Sequence, residues 1–405
     1  MRILVVGAGG VGSAIAVAAS RRDFFATMVV TDIDAARATR SAQRTGDARI
    51  SGAALDASDP KAVADCARAI GATVIVNACD PRFNEAIFAG AFDAGCHYLD
   101  MAMTLSSPHP QRPHELPGVM LGDHQFAASD EWTDRGLLAL VGLGIEPGFA
   151  DVAARYAADH LFSSIDEIGV RDGANLTIDG YDFAPTFSIW TTIEECLNPP
   201  LIWEQERGWF TTAPFSEPEV FSFPEGIGAV ECVNVEHEEV VLIPRWVDCK
   251  RVTFKYGLGD EFIEVLRVLE KTGLSSTVPV KVRGVEVSPR DVVAATLPDP
   301  AGLGERMRGK TCAGTWVRGT GTDGKPREVY LYHVADNEVT MREYDSQAVL
   351  WQTAICPVVA LELMANGSWK GTGVKGPEAF DSMPFLNLLG AHGSHHGMVD
   401  MGPGL

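Results

Sequence analysis

The segment Ile3-Leu4-Val5-Val6-Gly7-Ala8-Gly9-Gly10-Val11-Gly12 runs from an apolar strand into a G-x-G-x-x-G spacing, and residues 11–22 have helical composition. Gly7 permits a tight turn, Gly9 lets a diphosphate approach the backbone, and Gly12 lets the helix pack close to the sheet. Gly10 and Val11 open that helix, whose free N–H groups and partial positive charge suit an anion. Asp32 follows Gly12 by 20 residues, at the end of a second apolar strand. A carboxylate there holds the hydroxyls of an adenosine ribose and repels a 2′-phosphate. No arginine follows before Arg37, so NAD is favoured, with NADP as the alternative. Ile33 belongs to the same expected cofactor edge, and Asp34 is read as the cap of the next helix.

The alternation continues over the first hundred residues. Residues 50–55, 73–76 and 97–99 read as strands. Ser58-Asp59-Pro60 opens a helix that Gly71 ends, and residues 83–94 form a helix closed by Gly95. Strands separated by helices of roughly 10–15 residues build a parallel sheet covered on both faces, the doubly wound Rossmann arrangement. Such sheets bind ligands beyond the carboxyl ends of their strands. Asp56 after the third strand, Asn77-Ala78-Cys79 after the fourth and Asp100-Met101 after the fifth are therefore expected to border the dinucleotide. Asp56 has a second reading as a loop cap. Residues 137–143 add a further strand.

Beyond about residue 150 the character changes. Aromatics, prolines and short alternating segments (239–243, 278–282, 329–334) suggest a mainly antiparallel second domain, with a helix over 261–271. Residues 346–365 form a long apolar helix pattern, and the Gly-, Pro- and His-rich tail has little regular signal. The expected organisation is α/β: a Rossmann domain over 1–150, an inserted α+β domain over 151–345, and a C-terminal helix and tail over 346–405.

Asp plus Glu outnumber Lys plus Arg by 54 to 33 among 405 residues, giving a formal charge of −21. A chain this acidic repels phosphate backbones and anionic bilayers, so nucleic-acid and membrane partners are not expected. No uncharged apolar run of 18 residues stands out as a membrane span. The eight cysteines include no C-x-x-C pair and read as buried thiols of a reducing compartment, so a cytoplasmic location is expected.

Several pieces carry a family likeness: the glycine turn, Val76-Asn77 followed by Pro81, Ala94-Gly95-Cys96-His97-Tyr98-Leu99-Asp100, and Gly142-Leu143-Gly144-Ile145-Glu146-Pro147-Gly148. Together they resemble the saccharopine dehydrogenase family. Later pieces, among them His237-Glu238-Glu239 and Leu297-Pro298-Asp299-Pro300, are similar to its carboxynorspermidine dehydrogenase branch, with lysine 6-dehydrogenase more distant. The resemblance implies a Rossmann domain completed by C-terminal residues, an inserted substrate and dimerisation domain, and a homodimer. It also implies hydride transfer between a nicotinamide and a carbon bearing nitrogen.

That chemistry requires deprotonated nitrogen for oxidation and a proton donor for reduction. Glu146 at the expected domain junction is the first candidate, with Asp172 beside it. Arg171 offers a bidentate fork to a substrate carboxylate, Lys255 is a further carboxylate binder, and by resemblance His237 lines the substrate site. His97 reads as a core histidine. No metal is assigned, because His237-Glu238-Glu239 lacks the second histidine one turn on. The resulting expectation is an NAD(P)-dependent oxidoreductase acting on a C–N bond of an amino acid or carboxyalkyl amine. The alternatives are NADPH-dependent synthesis of a carboxynorspermidine-type polyamine and a catalytically silent nucleotide sensor.

Overall fold

In the computed structural model, which describes residues 1–402, the glycine turn joins strand β1 (Arg2–Val6) to helix α1 (Gly10–Ser20). The alternation continues through β2 (Thr27–Asp32), α2 (Ala35–Arg44), β3 (Ile50–Ala54), α3 (Pro60–Ile70), β4 (Val74–Asn77), α4 (Asn84–Ala94) and β5 (His97–Asp100). Two short helices, α5 (Asp123–Ala127) and α6 (Ser129–Asp134), precede β6 (Leu138–Leu140). The helix ends follow the local chemistry. Asp34 and Asp59 accept from the N–H groups of Ala36 and Lys61, and Gly71 and Gly95 close their helices in the left-handed region.

All pairings in this sheet are parallel, in the order β3-β2-β1-β4-β5-β6, and the later strand Gly373–Lys375 extends it beyond β6. The chain direction reverses between β1 and β4, so a crevice opens there at the strands' carboxyl ends. The turn that borders it tolerates no larger residue at two points. Gly7 has φ +107° and a Cβ there would lie 2.5 Å from the Ala78 carbonyl oxygen, while a Cβ at Gly12 would overlap the Gly7 carbonyl.

Helix α7 (Phe149–His160) leads into the long strand β7 (Phe162–Ala174) at the centre of a nine-stranded sheet. This sheet is antiparallel except where Arg251–Tyr256 runs parallel to β7. Two expectations change in this half. Residues 239–243 are helical, within Glu239–Trp246. Their apolar run is buried on every side, which removes the one-face pattern that separates helix from strand. The tail is also more ordered than its composition suggests. It supplies Gly373–Lys375 to the first sheet, a helix Ser382–Ala391, and His396–Asp400 to the edge of the second sheet.

Helix Ala348–Asn366, which carries Glu362, is long and apolar enough to cross a membrane by length and composition, and 78% of its apolar window is buried within the fold. It packs along α1, with Leu350 pressed over Gly10. Among the described residues every cysteine is a free thiol.

Candidate active site

The crevice between β1 and β4 opens into a cavity of about 240 Å³, far more than a few waters require. Its walls come from three regions. Gly9, Gly10, Val11, Asn77, Ala78 and Cys79 form the nucleotide end, with Met101 beyond them. Thr191, Thr192 and Glu195 of helix Ile189–Leu197 face them across the cavity, with His237, Glu238 and Tyr256. Val349, Leu350 and Thr353 of the long C-terminal helix close a third side.

The nucleotide end fits a diphosphate. Nothing lies within 4 Å of where a Gly9 side chain would start, so the cradle is open at the start of α1, where backbone N–H groups lack partners. Asp32 Oδ2 accepts from Ala8 N (3.2 Å) and Oδ1 from Asp34 N (3.0 Å), which fixes the carboxylate at the lip of the turn. Ile33 is exposed beside it. Asp56 accepts from the N–H and hydroxyl of Ser58, the loop-capping reading. Asn77 is tied to Asn84 (2.6 Å) and the Tyr98 hydroxyl (3.0 Å) and braces the Cys79 N–H, so it shapes the loop after β4. Cys79 is no nucleophile, because burial pushes its thiol up to about 12.

Asp100 does not border the cofactor as expected. It is buried, accepting from Gly142 N (2.7 Å) and Gln125 Nε2 (2.6 Å), while its backbone carbonyl accepts from Leu143 N. Its function is to anchor the loop that carries Glu146. Burial pushes its carboxyl up to about 7.

Arg171 and Lys255 do not reach the cavity either. They are paired neighbours in register on β7 and the adjacent strand, and so are Asp172 and Tyr256. Successive strand residues point to opposite faces. Tyr256 lines the cavity and Asp172 meets Glu146, whereas Arg171 and Lys255 face away, where Glu219 takes both the guanidinium and the ammonium (Lys255 Nζ at 2.7 Å). Arg171 also donates to Thr253 Oγ1, leaving its fork no room for a substrate.

The substrate end is a buried acidic pocket. Burial, and then Asp172, hold the Glu146 carboxyl well above the usual carboxylate range. One of its oxygens has no partner. Burial raises Asp172 to about 7 and Glu195 to about 8. Glu238 reaches across to the first sheet, its Oε1 accepting from Met103 N at 3.0 Å. Burial opposes the charge on His237. Glu239, whose Oε2 lies 2.6 Å from Nδ1, with Glu238 and Glu195, overrides burial and raises the imidazole to about 10. Phe254 stacks on the ring at 3.9 Å and fixes its plane. His237, Glu238 and Glu239 bring three ligand-type atoms within 4.8 Å, with the imidazolium supplying the positive charge among them.

Sequence reasoning missed Glu195, Glu238 and Tyr256. Glu238 stood within a quoted motif, but Glu195 and Tyr256 belong to no local pattern. Chemically, the pocket presents a neutral acid and a protonated imidazole to a nitrogen, within a ring of carboxyls that stabilises a cation.

A dinucleotide turn at the switch point of a parallel sheet, opening onto buried acid–base groups, defines a nicotinamide-dependent oxidoreductase of the two-domain kind. Residues 3–140 match the family model for the saccharopine dehydrogenase NADP binding domain, and residues 144–394 match that for the saccharopine dehydrogenase C-terminal domain. The chain belongs to the saccharopine dehydrogenase family. It is 30% identical to carboxynorspermidine synthase of Vibrio alginolyticus, over 100% of this chain and 98% of that protein. It is 29% identical to carboxyaminopropylagmatine dehydrogenase of a Synechocystis species, over 99% and 98%. In fold it is similar to saccharopine dehydrogenase (L-Glu forming) from Saccharomyces cerevisiae, with TM-score 0.69, 12% identity, and coverage of 99% of this chain and 100% of that one. The protein is an NAD(P)-dependent enzyme acting on C–N bonds.

Proposed function

We propose that the protein interconverts an imine and an N-carboxyalkyl polyamine, with Glu146 exchanging the proton at nitrogen and Asp32 favouring NAD. The observation that carries this reading is the ring of buried Glu238 and half-buried Glu146 and Glu195 lining the same cavity as the glycine turn. A cationic nitrogen entering this cavity would favour the ionised form of its carboxyls, so the ring can release protons and pair with such a compound. The names of the two full-length relatives, carboxynorspermidine synthase and carboxyaminopropylagmatine dehydrogenase, describe carboxyl-bearing polyamines or an agmatine derivative, and they support the same class. The nicotinamide, when bound, supplies or accepts the hydride. The chain's own residues bind the cation, orient it and hold the proton.

A homodimer in the cytoplasm belongs to this reading. The isolated hairpin Val280–Val282 and Val285–Val287 exposes several valines on a two-stranded sheet that is marginal alone. The test is a steady-state assay with N-carboxyalkyl polyamines, amino acids and simple diamines, each with NAD and NADP. The expected result is a kcat/KM for the carboxyalkyl polyamines at least about tenfold above the others, and higher with NAD. Turnover confined to amino acids would overturn the substrate class.

A further inference from the structure

Behind the cavity, four buried carboxyl oxygens have no hydrogen-bond partner: Glu239 Oε1, Asp151 Oδ1 and both oxygens of Glu378. All three residues are fully buried. They come from three mutually packed elements, namely α7, helix Glu239–Trp246 and the single 3₁₀ turn Pro377–Ala379. Asp151 spends its other oxygen on Gly148 N (2.7 Å), holding the start of α7, and Glu239 spends its other on His237. A buried carboxylate without partners costs several kcal/mol, so Asp151 and Glu378, both raised by burial, hold protons or are bridged by ordered water. Neither hydride transfer nor cation binding needs Asp151 or Glu378, which lie outside the cavity lining.

We infer that Glu239, Asp151 and Glu378, whose free oxygens make no hydrogen bond to one another, form a proton relay completed by water between them, running from His237 in the cavity to the surface beside Arg245. Reducing an imine places a hydride on carbon and one proton on nitrogen, and oxidising the amine removes both. Reductively, one proton passes from Glu146 to nitrogen, Asp172 returns one to Glu146, and His237 returns one to Asp172 through water. His237 is reloaded across its contact with Glu239, and the same proton is drawn by way of water from Asp151 and Glu378, which solvent restores. Oxidation runs the same transfers outward. This rests on the reading that Glu146 serves the nitrogen. The groups facing Glu378 are consistent with a carrier: Asp151 from α7, and Glu239 and the exposed-end Arg245 from helix Glu239–Trp246. Burial, opposed by Arg245, raises Glu378 to about 8, within range for exchange near neutrality.

The experiment uses the full chain and the variants Glu378→Gln and Glu378→Asp. Glu378 is a positioning-distance group that touches neither substrate nor cofactor, so KM and nucleotide affinity stay within about twofold. In Glu378→Gln, kcat falls about tenfold and its solvent deuterium isotope effect rises, and Glu378→Asp recovers part of both. Wild-type kcat and isotope effect in a folded Glu378→Gln would overturn the relay. A second readout needs no substrate. The infrared difference spectrum, wild type minus folded Glu378→Gln, should show one protonated carboxyl component that fades as pH rises through about 8, over the bands that Asp100, Asp172, Glu195 and Glu236 give in both proteins. A difference spectrum with no such component at neutral pH also overturns the relay. Failure of the substrate reading shows differently, as no wild-type turnover of carboxyalkyl polyamines while that component persists.

Discussion

Glu146 and Asp100 show how little separates a reactive acid from a structural one. Asp100 ends one strand of the first sheet and Glu146 follows another, and both are lifted by burial. Asp100 accepts three hydrogen bonds through its carboxylate and carbonyl, which consume it, whereas Glu146, a residue of the cavity lining, keeps one oxygen without a partner. Replacing Glu146 with Gln should lower kcat by about 100-fold or more while leaving nucleotide affinity, read by calorimetry, unchanged. An unaltered rate would assign the proton elsewhere. The glycine turn and Asp32 were legible in the sequence because their geometry is local: a turn, a helix start and a strand end fix one another within thirty residues. The task of Asp100 was not legible, since its partner Gly142 stands 42 positions away on a loop whose path only the folded sheet defines.

Along β7, alternation decides which residues the site receives. Arg171 and Asp172 read as one charged pair in the sequence, yet consecutive strand positions cannot serve the same face. Asp172 joins Glu146, and Arg171 joins Lys255 and Glu219 on the far side. The prediction at this scale concerns folding and not binding. Arg171→Met should lower the melting temperature by several degrees, because it leaves Lys255 and Glu219 to rearrange, and KM should stay within about twofold. A large KM rise without loss of stability would return Arg171 to the substrate. Helix Glu239–Trp246 teaches a related lesson. Residues 240–243, Val-Val-Leu-Ile, are apolar at every position, so neither a period of 2 nor one of 3.6 can be read, and burial on all sides is what makes the pattern mute. Helix ends were clearer elsewhere: the helix expected over 261–271 is found at Asp260–Lys271, capped by Thr272 and followed by Gly273 in the left-handed region.

For the molecule as a whole, the buried acids set the response to pH. Asp100, Asp172 and Glu236 are held near 7 and Glu195 and Glu378 near 8, all far above their unfolded values. Above about pH 4 the unfolded chain gives up protons that the folded chain keeps, so stability falls with rising pH until these groups ionise. His237, raised to about 10, acts in the same direction: its contribution is complete below about 6.5 and is lost as pH climbs through 10. The melting temperature of the ligand-free protein should therefore decline steadily from about pH 5 to pH 10, and a linear polyamine should restore several degrees at the alkaline end. A flat profile over that interval would show that the acids are paired or hydrated in solution. The two-domain outline was legible because strand–helix alternation gives way to aromatic-rich alternating segments. The cavity was not, since its walls are drawn from three distant parts of the chain.

The residues after Gly367 close both sheets, Gly373–Lys375 completing the parallel one and His396–Asp400 the edge of the mixed one. During synthesis, then, neither half can be finished while the ribosome still holds this tail. Until those residues emerge, each sheet keeps an open edge, and the two halves share one late step of maturation.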